Sequence, residues 1–286
     1  MPPRARKTRT TVRSTAPKRG TRPKAITKLS ERVTHKNWLI YGDTGVGKTT
    51  MASELPRNLF ITFEIEGTES AKVAGSTADE YVVRTREEYL ELYDYFDIGT
   101  GCQDYDWATI DSVSEMEECF WRSQLRRMKM EKPGTRHLYK PALDDYPWVW
   151  NQVKSAIDEW NALPINVLYT AQVMPLEMYD DDTEEEYNQL VPMVGSAKNG
   201  ILARKLCGMV SLVGYYDVLQ QTEGNDDDNE VEEFRRLYMT KRKGYLAKNR
   251  YGWPAYADNP SMVNMVAAAD RALAGQQNPR RTRAGK

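Results

Sequence analysis

Short apolar runs of strand length alternate along the chain with longer segments of helical periodicity. The runs are "NWLIY" (Asn37 to Tyr41), "NLFITF" (Asn58 to Phe63), "YVVR" (Tyr81 to Arg84), "WATI" (Trp107 to Ile110), "INVLYT" (Ile165 to Thr170) and "MVSLVGYY" (Met209 to Tyr216). Most lack polar–apolar alternation, which predicts strands buried on both faces. Helical patterns over 48–55, 86–96, 114–130, 145–162 and 200–206 lie between them. This order predicts an α/β fold with a mostly parallel central sheet and helices on both faces. Further on, "RRLYMTKRKGYLAKN" reads as a late β-hairpin with Lys243 and Gly244 in the turn, and "PSMVNMVAAADRALAG" as a final helix. Two like-charge runs, "YDDDTEEEY" and "EGNDDDNEVEE", read as mobile acidic surface loops.

Charge changes the picture at the ends. The net charge is −1, yet residues 1–36 hold twelve Lys and Arg against the single acid Glu31, leaving −12 for the rest. This stretch is rich in Pro, Ser and Thr and poor in large apolar residues, so residues 1–30 are expected to be disordered. Such a basic tail suits a tether to nucleic acid; a solubilising arm against its own acidic domain is the alternative. A mitochondrial transit peptide would need a regular apolar face that is missing here. One main domain is expected over 31–274, with a second basic tail at 275–286. At 286 residues and 40% hydrophobic content the chain can bury a substantial core. No run approaches 18 apolar residues and the N-terminus has no apolar h-region, so neither a membrane span nor a secretory signal is predicted. Cys102, Cys119 and Cys207 are widely spaced and odd in number. That pattern fits neither a disulfide framework nor a zinc site, and predicts free thiols in a reducing cytoplasm.

The strongest chemical signal follows the first apolar run. Gly42, Asp43, Thr44, Gly45, Val46, Gly47, Lys48 and Thr49 match G-x-x-x-x-G-K-[ST] between a strand and a helix. Backbone N–H groups of such a loop cradle phosphates, and the glycines allow the close approach. Lys48 would bridge the β- and γ-oxygens of ATP, Thr49 would hold Mg²⁺, and Thr50 would lie beside the phosphates. Asp111, ending the run Trp107 to Ile110, is the expected second magnesium-side group. Ser112 follows it, so a catalytic base must come from elsewhere. Glu64, just after the second strand, is the candidate to orient or deprotonate water, with Glu66 as fallback and a plain surface acid as the alternative. Gln172 follows the run Ile165 to Thr170, where an amide would sense the γ-phosphate.

Together "IYGDTGVGKTT", "LFITFE", "TIDSVSE", "VLYTAQ" and "LAKNRYG" resemble the RecA-like P-loop NTPase core over roughly residues 36–254. Among its branches the chain is most similar to phage RecA-like proteins, the Sak-type single-strand annealing ATPases. The resemblance implies Glu64 as the water-activating base and Gln172 as the coupling residue between ATP and DNA loops. It also implies that Lys248 and Arg250, a K-x-R pair, reach the γ-phosphate of a neighbouring subunit, so that hydrolysis requires a homo-oligomer, ring or filament. On alternate positions of a strand these two side chains would point the same way; a solvated basic hairpin face is the alternative.

Nucleic-acid contacts are read from Lys198 in the glycine-rich "VGSAKNG" and from Lys241, Arg242 and Lys243, with Tyr245, Tyr251 and Trp253 as stacking faces or core. The loop after Gln172, which approaches DNA in the resembled family, here carries "DDDTEEE", which would repel phosphates. The function predicted is an ATP-dependent, single-stranded-DNA-binding ATPase of phage type, acting in annealing or recombination in the host cytoplasm, with a single-strand DNA-binding protein as a possible partner. A hexameric helicase or loader, a nucleotide-gated DNA-binding module with slow hydrolysis, and a small-molecule kinase are the alternatives; the kinase lacks an arginine-rich lid.

Overall fold

The computed structural model describes residues 33–195, 200–223 and 230–275. The N-terminal tail 1–30, the C-terminal tail beyond Gly275, Lys198 and the middle of the second acidic run lie outside the described residues. The compact unit begins at His35.

The parallel strands are β1 (Asn37–Tyr41), β2 (Asn58–Thr62), β3 (Asp79–Val82), β4 (Trp107–Asp111), β5 (Asn166–Ala171) and the first half of β8 (Leu212–Glu223). They lie side by side in the order β8-β1-β5-β4-β2-β3. All five residues of β2 are buried, and β1, β4 and β5 are buried at every position but one. That is why their sequences read as unbroken apolar runs: helices cover both faces.

Alternate residues feed two separate cores. Leu39, Leu59, Ile110 and Tyr169 point to one face, where α3 (Arg86–Asp97), α5 (Val113–Glu131), α6 (Asp145–Ala162) and α7 (Ile201–Met209) add Tyr89, Phe120, Val153 and Leu206. Trp38, Ile40, Phe60 and Leu168 point to the other, against Met51 of α1 (Lys48–Ala52), Ala71 of α2 (Glu69–Val73) and Met262 and Met265 of α8 (Met262–Leu273). Trp160 of α6 is fully buried, while Trp148 and Trp150 pack half-buried on the first core. Burying each large side chain contributes about 1.5–3 kcal/mol, so the sheet is fixed from both sides. Local caps set the helix starts. Thr85 accepts from the Glu88 amide, Ser112 accepts from the Glu115 amide, and Glu54 takes both the Ser261 hydroxyl and the Met262 amide at 2.7 Å. Such caps are each worth about 1 kcal/mol.

The late hairpin differs from the expectation. β8 and β9 (Glu230–Tyr238) form a long antiparallel pair that reaches Glu223 and Glu230, the residues on either side of the undescribed part of the second acidic run, and β11 (Tyr256–Asp258) adds to β9. Around Lys243 and Gly244 the described residues form only isolated bridges, Arg242 to Tyr245 and Leu190 to Tyr245. β10 (Lys248–Asn249) pairs with β8, not with β9. The polar tail of β8, Gln220 to Glu223, hid the long pair. The first acidic run likewise lies on a hairpin, β6 (Val173–Asp180) with β7 (Glu185–Pro192). Buried Met174 and Leu176 alternate with exposed positions there, and acids crowd its far end.

Candidate nucleotide site

Register brings the chemistry to one edge. Tyr41 pairs with Ala171 and with Tyr215, and Thr62 pairs with Asp111. The residues that follow, Gly42, Gln172 and Glu64, therefore leave the sheet beside Asp111 at its carboxyl end, where open α/β sheets bind ligands. Gln172, Glu64 and Asp111 line a cavity of ≈ 350 Å³ together with Lys48, Thr49, Thr50 and Glu115.

The loop from Gly42 to Thr49 is built as its glycines require. A Cβ on Gly42 would fall 2.1 Å from the Tyr216 carbonyl oxygen. Gly45 and Gly47 adopt φ of +84° and +97°, which side chains other than glycine's resist. Lys48 Nζ donates to the carbonyls of Gly42 and Asp43 at 2.9 and 2.7 Å, which folds the loop around the ammonium. Burial pulls that ammonium below its ordinary pKa, against the opposing pull of Asp111 and Asp43.

Thr49 Oγ1 donates to Asp111 Oδ2 at 2.7 Å, and Thr170 Oγ1 donates to Asp111 Oδ1. Burial raises the Asp111 pKa, while the two hydroxyls and Lys48 oppose the rise. The peptide bond from Asp111 to Ser112 is cis. A hydroxyl and a carboxylate this close form a hard oxygen donor set that fits Mg²⁺, which would supply charge neutralisation at the phosphates.

Glu64 and Glu66 are exposed on the cavity rim. Facing Glu64 is Glu115, in the first turn of α5. Burial raises the Glu115 pKa, and Glu64 raises it further by repulsion and a side-chain hydrogen bond. The two acids thus face each other across the cavity. Glu115 was readable as the fourth residue of a capping box, Ser112-Val113-Ser114-Glu115, though not as a neighbour of Glu64.

Behind the carboxylates, α5 is tied to the loop after Gln172. Ser114 Oγ receives the Gln172 amide at 3.1 Å and donates to the Met193 carbonyl at 2.8 Å. Buried Glu117 accepts the Gly195 amide at 2.7 Å. α5, which starts two residues after Asp111, thus holds Gln172 and the segment from Met193 to Gly195.

Lys248 is occupied within its own chain. Its Nζ donates to Cys207, Gly208 and Val210 carbonyls at 2.9, 2.9 and 2.6 Å, closing the end of α7. Arg250 falls just beyond the two-residue β10 and is exposed, and after burial its nearby charge is a second cause that lowers the Lys248 pKa. Lys241 and Arg242 are exposed, whereas Lys243 pairs with Asp180 at 2.5 Å and lies over the Tyr187 ring. Tyr245 stacks on Tyr215, and Tyr251 and Trp253 stack on each other against Trp38. These three aromatics are packing, not free stacking faces. Arg235 of β9 also lines the cavity, and its Nε donates to the Val46 carbonyl at 2.9 Å. Strand periodicity gives no sign of that return over the loop. Buried Cys119 and Cys207 have thiol pKa values pushed up by burial to about 11 and about 12, which leaves them unreactive.

A phosphate loop after the central strand and an aspartate closing β4, on a parallel sheet with helices on both faces, define a RecA-like P-loop NTPase. Residues 34–251 match the family model AAA_24, an AAA domain, and the chain belongs to that family. It is thereby a nucleotide-binding P-loop ATPase. A solved structure of the flagellar accessory protein FlaH from Methanocaldococcus jannaschii is similar at 10% identity, covering 80% of this chain and 87% of that one, with a TM-score of 0.36. None of the curated proteins matches the chain. Among the described residues no helix is long and apolar enough to cross a membrane.

Proposed function

We infer that the chain is a phage-type RecA-like ATPase that hydrolyses ATP with Mg²⁺, binds single-stranded DNA and promotes annealing or recombination as a homo-oligomer. Its own cavity holds the phosphate loop, the magnesium-side pair Thr49 and Asp111, and a candidate base in Glu64, but no Lys248 or Arg250. That exposed Arg250 lies outside its own phosphate cavity carries the reading: a second subunit supplies the positive charge for transfer, and ATP sits between subunits. Contacts to DNA are assigned to Lys241, Arg242 and Lys198. Exposed Lys132, Tyr139 and Lys140 in the connection from α5 to α6 add charge and a stacking face, Tyr139 being 89% exposed.

Mixing Glu64→Gln subunits with Arg250→Ala subunits tests the shared site. Partial recovery of ATP turnover in mixtures is expected, because some interfaces regain both groups. No recovery at any ratio contradicts it.

A further inference from the structure

We propose that Arg235 is a nucleotide-binding residue that contacts the α-phosphate from within the same subunit. This rests on the nucleotide site described above and adds to it a cation that neither the loop motif nor the K-x-R pair includes.

Topology decides which end of the nucleotide it meets. β1 carries the phosphate loop, and the acids come from β2 and β4, both on the β5 side of β1. Arg235 comes from β9, on the β8 side. If the γ-phosphate points toward Asp111 and Glu64, the α-phosphate end faces β8 and β9. The glycine-rich loop cradles the α- and β-phosphates through its backbone, and Arg235 rests on that part. A Cβ added to Gly47 would lie 3.1 Å from Arg235 Nε and 3.8 Å from its Cζ, so the guanidinium packs against Gly47 itself.

The residue is held and yet unspent. Asn259 grips its backbone on both sides: Oδ1 accepts the Arg235 amide at 2.9 Å, and the Asn259 amide donates to the Arg235 carbonyl at 2.7 Å. Nε is committed to Val46, which fixes the plane of the fork. Both Nη groups are without a hydrogen bond, and no carboxylate pairs with Arg235, among the described residues. Its neighbour Arg236 shows the contrast, forming a two-point pair with Asp258 at 2.5 and 2.9 Å and lying over the Tyr256 ring. A guanidinium with its outer donors free, beside a backbone anion cradle, is matched to phosphate oxygens.

The test is phosphorus NMR of ADP with Mg²⁺ bound to the full chain, alongside equilibrium ADP titration, for wild type, Arg235→Gln and Arg235→Lys. Arg235→Gln should move the bound α-phosphate resonance while leaving the β-phosphate resonance in place, and should weaken ADP about tenfold. Arg235→Lys should recover part of the affinity; its retained charge guards against misreading a folding defect, which thermal melts of both variants would also reveal. An unmoved α resonance with wild-type affinity overturns the proposal. So does equal movement of both resonances, which would make Arg235 a strap on the loop alone. Wild-type protein that binds no ADP would instead fell the nucleotide site itself.

Discussion

Gly42→Ala is the sharpest structural test of the phosphate loop. The added Cβ would sit 2.1 Å from the Tyr216 carbonyl oxygen, about 0.9 Å inside the 3.0 Å that real Cβ atoms respect. The obstacle is backbone, and it cannot rotate away. Tyr216 continues a strand whose Gly214 and Tyr215 are already in register with Ile40 and Tyr41. Relief requires prising β1 from β8 at the point where the loop begins. Overpacking of this sort costs about 1–3 kcal/mol, and a rigid backbone partner places Gly42→Ala at the upper end. Gly45→Ala is the control: no atom lies within 4 Å of its new Cβ, so only the φ of +84° is charged, about 1–2 kcal/mol. With a urea dependence of about 3 kcal/mol per molar, a loss of about 3 kcal/mol lowers the unfolding midpoint by about 1 M. Urea unfolding of the two variants, with nucleotide titration of each, compares them directly. A Gly42→Ala midpoint at or above that of Gly45→Ala refutes the packing argument.

Three further outcomes follow from the site. Because the folded pKa of Asp111 is raised above its ordinary 3.8, the stability it contributes is complete below that value and is lost as pH rises through the raised one. Thermal melts should therefore decline with pH across that window and flatten in Asp111→Asn, while Mg²⁺ affinity, which needs the carboxylate, should rise across it; a melt profile unchanged by Asp111→Asn contradicts this. Lys248→Ala should cost about 1–3 kcal/mol of stability by uncapping α7, whereas Arg250→Ala should melt like wild type and lose ATP turnover; equal melting of the two variants would show that Lys248 is not a cap. Burial and then the neighbouring Glu64 raise the folded pKa of Glu115, so the stability it contributes is complete below its ordinary value and lost as pH rises through the raised one; the pH dependence of the melt should be weaker in Glu115→Gln, and an unchanged profile would contradict this.

The parallel half of the fold was legible because strands buried on two faces leave unbroken apolar runs, as at Trp38 to Tyr41 and Phe60 to Thr62. The phosphate loop was legible because backbone cradling leaves no freedom at Gly42, Gly45 and Gly47. The antiparallel half was not. Gln220, Gln221 and Thr222 lie at the polar end of β8, and the acids after Tyr179 made a hairpin look like a loop, since a solvated pair is stabilised by ladder bonds that composition does not register. Lys248 looked free because nothing local to it shows that the carbonyls of Cys207, Gly208 and Val210 end beside it. Arg235 and the pairing of Glu64 with Glu115 were missed for the same reason: each joins residues 50 or more positions apart, and spacing alone cannot reveal such contacts.

ATP turnover measured with and without single-stranded DNA, in wild type and in Lys48→Ala, tests the central claim most directly. Turnover that rises with DNA in wild type and collapses in Lys48→Ala is the predicted result. Turnover indifferent to DNA, or surviving in Lys48→Ala, would contradict it.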